Sequence, residues 1–288
     1  MRKVGVDMSA VDPRDPRAPR VKPGATEVST SVIRILAPNP SAMTLDGTNT
    51  YIVSGPDRSQ AVVIDPGPVV EEHLSAIVTL IHSRELDVKA VITTHAHPDH
   101  AALGHRCASE LGVPLLTALE IGDSPSAQRV VTACDIRVLV TPGHSGDSLS
   151  YLSTDGVLMS GDHLLGRGTT AILHPDGSLG QFLRSLTTVE ATEFTRIAPG
   201  HGPVMEADLG RQVIAYYRAH RLERIDQVRR LLDSGQRVVG DLVTAIYGPI
   251  KDPIVAWSAK ASTLATITYL TQEGDWLLEG DRVVSVSH

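Results

Sequence analysis

Residues 93–104 constrain the fold of this chain more than any other stretch. They read TTHAHPDHAALG, so three histidines and an aspartate lie between His95 and His100. The apolar, β-branched run AVITT ends inside this stretch and the helix-like HAALGHRCASELG begins inside it. This pattern predicts a strand, a short loop and a helix. Because α/β folds carry their binding sites in loops at the carboxyl ends of strands, the polar cluster marks a candidate site.

Apolar runs of strand length alternate with amphipathic stretches over much of the chain. The predicted strands are TYIVS (50–54), AVVID (61–65), AVITTH (90–95), VPLLT (113–117), IRVLVTP (136–142), SLSYLS (148–153) and GVLMSGD (156–162). The predicted helices cover 71–86, 100–112 and 179–192. Strands interleaved with helices favour a layered α/β architecture.

The character of the chain changes near residue 204. Residues 208–273 read as helical, and WLLEGDRVVSV reads as a hairpin around Gly280 and Asp281. Three helices followed by a hairpin is the order of a winged-helix module. At the other end, VDPRDPRAPRVKPG (11–24) can bury little apolar surface. We therefore predict a flexible tail over 1–27, an α/β domain over 28–206 and a winged-helix-like domain over 207–288.

Composition argues against several classes of protein. The formal net charge of −7 gives no overall basic field for nucleic acid, and an aromatic content of 3% argues against a broad base-stacking platform. Two cysteines without a CxxC spacing suit a reducing compartment. No apolar stretch reaches membrane-spanning length, and the N-terminus lacks a signal-peptide pattern. We expect a cytoplasmic protein that does not engage a membrane.

The spacing of the polar cluster suits metal ions. His95 and His97 alternate in the loop and can share one ion, whereas Asp99 and His100 open the helix and can face a second. A metal shell needs three or four protein ligands, so further ligands should follow other strands. The candidates, each after a predicted strand and beside a glycine, are His144 in TPGHSGDS, Asp162 in LMSGDH and His201 in APGHGP. Imidazole with carboxylate suits zinc, and also iron or manganese.

In identity and order, these residues resemble the ligand set of the metallo-β-lactamase-fold hydrolases. The resemblance implies an αββα sandwich that binds two metal ions, with zinc as the first expectation. The ligands it implies are His95, His97 and His144 for the first metal, Asp99, His100 and His201 for the second, and Asp162 as the bridge. A metal-bridged hydroxide would be the nucleophile, and Asp99 would orient it and take its proton.

Three further residues belong to the predicted site. Asp65, in AVVIDPGP, matches an aspartate that in this family supports a ligand without binding the metal. His163 follows Asp162, and His174 lies in the loop ILHPDGS. Each of these two histidines is a candidate proton donor or a residue that packs around the site.

The metal motif leaves the substrate open. The stretches LAPNPSAMTLDGTNTYIV (36–53), TPGHSGDSLSYL and SGDHLLGRGTT resemble one subgroup, that of the animal mitochondrial β-lactamase-like endoribonuclease and its bacterial relatives. This resemblance implies a hydrolase that cleaves single-stranded RNA. The alternative is a glyoxalase II-like thioesterase or another hydrolase of small-molecule esters or lactones.

The long predicted helix bears on that choice. Arg211, Arg218 and Arg221 have spacings that place them on a common helical face, where they could contact phosphates. The competing interpretation is a solvated face paired with Glu223 and Asp226. A third possibility is that the C-terminal part binds a partner or forms a homodimer beside an inactive metal domain.

Overall fold

The computed structural model of the chain describes residues 19–55 and 60–286. The described strands form a six-stranded sheet, a five-stranded sheet and a hairpin. The six-stranded sheet contains, in spatial order, β1 (Gly24–Glu27), β2 (Val32–Leu36), β3 (Asn49–Ser54), β4 (Gln60–Ile64), β5 (Asp87–Ile92) and β6 (Leu115–Leu116). The five-stranded sheet, in chain order, contains β7 (Arg137–Val140), β8 (Leu149–Leu152), β9 (Val157–Gly161), β10 (Arg196–Pro199) and β11 (Met205–Glu206). The hairpin pairs β12 (Trp276–Glu279) with β13 (Arg282–Ser285).

Helices flank the two sheets and make up most of the C-terminal part. They are α1 (Glu71–Ser83), α2 (Pro98–Ala101), α3 (Gly104–Leu111), α4 (Ala118–Asp123), α5 (Pro125–Ala133), α6 (Leu179–Glu190), α7 (Ala207–Asp233), α8 (Val239–Tyr247) and α9 (Pro253–Thr271). Among the described residues, none of the helices combines the length and apolar character that crossing a bilayer would require.

The strand side chains divide the core into layers. In β4, Val62 belongs to one buried apolar cluster and its neighbour Val63 to another, because successive side chains of a strand point to opposite faces. In β9, Met159 joins the same cluster as Val62, while Leu158 joins a third. The cluster shared by both sheets therefore lies between them.

The outer face of each sheet is covered by helices. Ile77 of α1 and Cys107 of α3 pack with the outward side chains of the six-stranded sheet. Phe182 of α6 and Val213 of α7 pack with the outward side chains of the five-stranded sheet. The order helix, sheet, sheet, helix confirms the predicted αββα sandwich.

The C-terminal elements follow in the predicted order of three helices and a hairpin. Leu232 of α7, Leu270 of α9 and Trp276 of β12 are buried in the same cluster as Phe182, so this apolar cluster continues across residue 206. The winged-helix-like character of this part and its boundary as a domain stay predictions.

Strand direction brings the loops of the candidate site to one edge. β4 and β5 are parallel, as are β9 and β10. β7 is antiparallel to β8, which is antiparallel to β9, so β7 shares the direction of β9 and β10. The carboxyl ends of these strands lead into the segments that carry the predicted ligands.

Two predictions need correction. The predicted tail over 1–27 extends too far, because Gly24–Glu27 form β1 and pair with β2, and Val21 is buried. The rest of that prediction, residues 1–18, lies outside the described residues. The helix predicted over 100–112 is two helices, α2 and α3, and α2 already starts at Pro98.

Candidate metal centre

The opening cluster lies where β5 ends and α2 begins. Pro98 occupies the first turn of α2, with His97 as the residue before the helix in extended conformation. A proline at this position costs no helix hydrogen bond and fixes φ. The side chains of His95 and His97 therefore project from the loop, whereas those of Asp99 and His100 project from the first turn of α2.

One group of ligand-type atoms involves three histidines. His97 Nδ1 lies 3.0 Å from His95 Nε2 and 3.0 Å from His144 Nε2. Their nitrogens are close enough together for one ion to contact all three. These residues are the set that the sequence assigned to a first metal.

A second group lies beside the first. His201 Nε2 is 3.2 Å from His100 Nε2 and 3.1 Å from Asp99 Oδ2. These three residues also offer atoms within 4.8 Å of one another. They are the set that the sequence assigned to a second metal.

Asp162 lies between the two groups. Its Oδ1 is 3.4 Å from His100 Nε2 and 3.5 Å from His201 Nε2, while its Oδ2 is 3.7 Å from His144 Nε2. Each carboxylate oxygen therefore faces a different group. This is the position that a bridging carboxylate needs.

In three of the histidines, a hydrogen bond at Nδ1 orients the ring so that Nε2 points toward the candidate metal centre. His144 Nδ1 bonds to the Ala171 carbonyl oxygen at 2.7 Å, and His201 Nδ1 bonds to the Gly47 carbonyl oxygen at 3.0 Å. His100 Nδ1 contacts Asp65 Oδ2 at 2.8 Å. Because carbonyl and carboxylate oxygens only accept, each Nδ1 donates, which leaves the Nε2 of a neutral ring with its lone pair free for a metal.

Electrostatics differ between the two groups. Burial lowers the pKa of His95 well below its usual value and also lowers the pKa of His144. Burial acts in the same direction on His201, but the carboxylates of Asp162 and Asp99 outweigh it and raise its pKa to about 9. The pKa of Asp162 is well below its usual value, because His201 and His100 outweigh the opposing effect of burial.

The donor set fits divalent metal ions. Imidazole nitrogens converge within hydrogen-bonding distance of one another, and Asp162 Oδ1 is buried without a hydrogen-bond partner among the described residues. Buried carboxylates require compensating positive charge. Two divalent ions would supply that charge and give each inward lone pair a partner.

The structure places the other predicted residues at different distances from the centre. Asp65 touches His100 and also accepts from Thr94 N at 2.6 Å and Thr94 Oγ1 at 2.7 Å. His163 is buried against the Phe182 ring with both ring nitrogens lacking a partner among the described residues. Burial lowers the pKa of His163 to about 3. His174 is half-buried in the loop before α6.

The three predicted phosphate-binding arginines already have partners. Arg211 pairs with Glu193 at 3.2 Å and Arg218 with Glu190 at 3.0 Å, both at the surface. Arg221 is buried, and its guanidinium donates to the Thr170 carbonyl. The helix thus presents two of the three to solvent.

Several groups that shape the centre escaped the sequence analysis. The carbonyls of Gly47 and Ala171 orient two histidines, and Thr94 holds Asp65. A backbone carbonyl carries no side-chain signature, so sequence offers no signal for the first two. Thr94 precedes His95 in the motif, and its hydroxyl is a hydrogen-bond donor that could have been proposed as a partner of a nearby carboxylate.

Comparisons of sequence and structure find similar known proteins. The sequence profile of the "Metallo-beta-lactamase superfamily" matches residues 43–133, which include Asp65 and the His95–His100 cluster. "Beta-lactamase-like protein 2 homolog" of Drosophila melanogaster is 31% identical over 227 residues, covering 72% of this chain and 75% of that protein. "Lactamase-like protein nscB" of Neosartorya fischeri is 29% identical over 285 residues, covering 87% and 81%. The crystal structure of a β-lactamase domain protein from Burkholderia ambifaria has a TM-score of 0.74 at 21% identity, covering 98% and 99%, so it shares the fold.

Proposed function

This chain belongs to the metallo-β-lactamase superfamily, a family of metal-dependent hydrolases, and we propose that it is a hydrolase with two zinc ions in its active site. His95, His97 and His144 would hold the first ion, and the ligands of the second would be Asp99, His100 and His201. Asp162 would bridge the two.

One observation carries this proposal. The two carboxylate oxygens of Asp162 face different groups, Oδ2 toward His144 and Oδ1 toward His100 and His201. A single ion would leave one of those oxygens, and one group of imidazoles, buried without a partner, which is costly. Zinc is the metal that the mixture of nitrogen and oxygen ligands favours first, with iron and manganese as alternatives.

When bound, such ions would lower the pKa of water toward about 7 and polarise a carbonyl or phosphoryl oxygen. The chain itself would supply orientation and proton transfer. The Asp99 side chain is 30% exposed and that of Asp162 11% exposed, so Asp99 is the carboxylate better placed to exchange a proton with substrate or solvent. We assign it the role of proton acceptor. His163 and His174 stay candidates for the proton donor or for packing around the site.

Single-stranded RNA is the first candidate substrate. The support is the resemblance of the sequence to the endoribonuclease subgroup, together with Arg211 and Arg218 at the surface of α7. Exposed ion pairs contribute only ~0.2–1 kcal/mol each, so a phosphate could replace Glu193 or Glu190. Arg221 is left out of this contact because it is buried.

A small-molecule ester or thioester is the second candidate. The contacts of Arg211, Arg218 and Arg221 within the chain favour it, because hydrolysis of a small acyl compound needs no phosphate contact from α7. The formal net charge of −7 points the same way.

The test combines metal analysis with a substrate panel. Purified protein would be assayed for metal per chain, then for cleavage of a single-stranded RNA oligonucleotide and of S-lactoylglutathione. Asp162→Ala should lose metal and lower turnover by orders of magnitude, whereas Asp123→Ala, at an exposed position in α4, should behave as the wild type. Near-normal turnover in Asp162→Ala with reduced metal would contradict the dinuclear assignment.

A second comparison separates the substrates. The double change Arg211→Ala with Arg218→Ala should weaken RNA binding and reduce its salt dependence, because each phosphate contact releases counterions. It should leave thioester turnover unchanged. RNA cleavage that is insensitive to both changes would remove α7 from the substrate site.

A further inference from the structure

One buried ion pair joins two loops that flank the candidate metal centre. Arg167 Nη2 lies 2.9 Å from Asp46 Oδ2, and the side chains are 6% and 8% exposed. The N-terminal segment closes over the pair, because Pro19 O accepts from Arg167 Nη1 at 2.6 Å and Val21 N donates to Asp46 Oδ2 at 2.9 Å. A buried, charge-assisted contact with these extra hydrogen bonds fixes the relative position of the loops that carry it.

Each partner of the pair stands close to a carbonyl that orients a histidine. Asp46 precedes Gly47, whose carbonyl accepts from His201 Nδ1 at 3.0 Å. Arg167 lies on the same short segment as Ala171, whose carbonyl accepts from His144 Nδ1 at 2.7 Å. The ion pair thus connects the segment that orients His144, a candidate ligand of the first metal, with the segment that orients His201, a candidate ligand of the second.

The Arg167 segment has a further tie to the second group. Gly166 N donates to the carbonyl oxygen of His201 at 2.9 Å. A Cβ at Gly166 would lie 2.3 Å from Pro203 O, so the segment passes against the His201 loop with no spare room. A shift of the Arg167 segment would therefore change the positions of both His144 and His201.

We propose that Asp46 and Arg167 are positioning residues that couple the two metal sites by holding the loops that orient His144 and His201. The inference rests on the proposed dinuclear function. Losing a group that orients a metal ligand typically lowers metal affinity about 10–100-fold. Because this pair serves both loops, its loss should weaken both sites together.

A competing anchor for the same segment makes the inference testable. The Tyr217 hydroxyl of α7 accepts from Leu165 N at 3.1 Å and from Thr170 N at 3.2 Å, and Arg221 donates to Thr170 O. If these contacts suffice to hold Ala171 in place, removing the ion pair will leave the affinity for metal unchanged.

The experiment is a zinc titration against a chromophoric chelator, which yields the number of sites and their affinities. The variants are Arg167→Met, Asp46→Leu, both together, and Arg167→Lys. Arg84→Met is the matched control, because Arg84 pairs with Glu27 at the surface. Each single change should lower the affinity of both sites about 10–100-fold. The double change should cost no more than either single change, as coupled residues require, and Arg167→Lys should restore part of the affinity.

The double variant replaces the pair with apolar side chains, a change that folded proteins often tolerate, so it remains measurable if a single variant does not fold. Wild-type affinity in a variant whose melting temperature alone has fallen would overturn the inference and leave the proposed function intact. Loss at only one site would refute the coupling. A wild-type chain that binds fewer than two zinc ions would overturn the proposed function, and the inference with it.

Discussion

At Gly200 the backbone passes so close to the candidate ligands that no side chain fits. A Cβ built there would lie 2.6 Å from Asp162 Oδ1 and 2.6 Å from His100 Cε1. Glycine is therefore required at position 200, because any side chain there would occupy the space that Asp162 and His100 fill. At Gly161, with φ of 48°, a Cβ would lie 2.5 Å from Thr94 Oγ1, so the residue before Asp162 has no room for a side chain either.

We predict that Gly200→Ala lowers metal affinity at least about tenfold, because the methyl group displaces ligating side chains whose orientation sets the affinity. Zinc titration measures the effect. The matched control is Gly240→Ala in α8, where a Cβ would meet nothing within 4 Å and should stabilise the helix slightly. Equal zinc affinity in the two variants would show that the space beside Asp162 is not needed for metal.

At the residue scale, side-chain identity carried the prediction of the site. His144, Asp162 and His201 could be predicted because each follows a strand beside glycine, and His95 because it ends a strand two positions before another histidine. The carbonyl groups of Gly47 and Ala171 could not, since every residue has a carbonyl and only tertiary structure decides which one meets a histidine.

At the scale of elements, α7 anchors the segment that leads away from Asp162. The Tyr217 hydroxyl is fully buried and accepts two backbone N–H groups, from Leu165 and Thr170. We predict that Tyr217→Phe lowers the free energy of unfolding by about 1–3 kcal/mol, because two buried donors lose their acceptor. Urea denaturation measures this loss. The neighbouring, exposed Tyr216→Phe should change stability by less than about 0.5 kcal/mol, and equal effects of the two changes would contradict the anchoring role.

A second joint links the two sheets through Asp155, in the turn between β8 and β9. Its carboxylate accepts from Ser153 Oγ at 2.6 Å and, across the interface, from Ser31 N and Thr30 Oγ1, both at 3.2 Å. Burial acts in the opposite direction, but the hydrogen bonds from Ser153 and Ser31 outweigh it and lower the pKa of Asp155 to about 2.

Because the pKa of Asp155 is lowered, its contribution to the free energy of unfolding depends on pH in a known direction. A carboxyl whose pKa is lower in the folded state stabilises the fold above its unfolded pKa of about 3.9, and that contribution disappears as pH falls toward 2. We predict that Asp155→Asn costs about 1 kcal/mol at pH 6, reduced from the buried-group value by solvent screening, and less at pH 2.5. Urea midpoints of both proteins at the two pH values measure this, and a constant difference would contradict it.

Which elements could be predicted depended on the strength of local patterns. The β-branched run of β5 and the amphipathic α1 were legible because their periodicities are strong. The helices α4 and α5 were not predicted, because TALEIGDSPSAQRVVTAC mixes helix formers with Gly, Ser and Pro. A signal was present at Thr117 and Glu120, which form a capping box at the start of α4. The tail was overextended because β1 is exposed and owes its order to pairing with β2.

At the scale of the whole molecule, one apolar cluster ties the C-terminal helices to the sandwich. It combines Phe182 and Ile197, from before residue 206, with Val228 and Leu270 from after it. Sequence showed the change of character near 204, but burial across that point depends on tertiary packing. Since both sides share one core, they should unfold together.

The two tryptophans make that cooperativity measurable, because Trp257 and Trp276 both lie in the C-terminal part. We predict that tryptophan fluorescence, which reports on that part alone, and far-UV circular dichroism, which reports on the whole chain, give the same urea midpoint. Leu232→Ala should shift both midpoints equally, with a loss of about 2–5 kcal/mol from the cavity it leaves in the shared cluster. The exposed Leu277→Ala should shift neither.

If fluorescence changes first, the C-terminal part unfolds as a separate unit and its contacts with the sandwich are weaker than the buried cluster implies. Coincident midpoints would mean that the C-terminal part and the sandwich unfold as one cooperative unit, so the contacts of α7 with Leu165 and Thr170 belong to the same fold that supports the candidate metal centre.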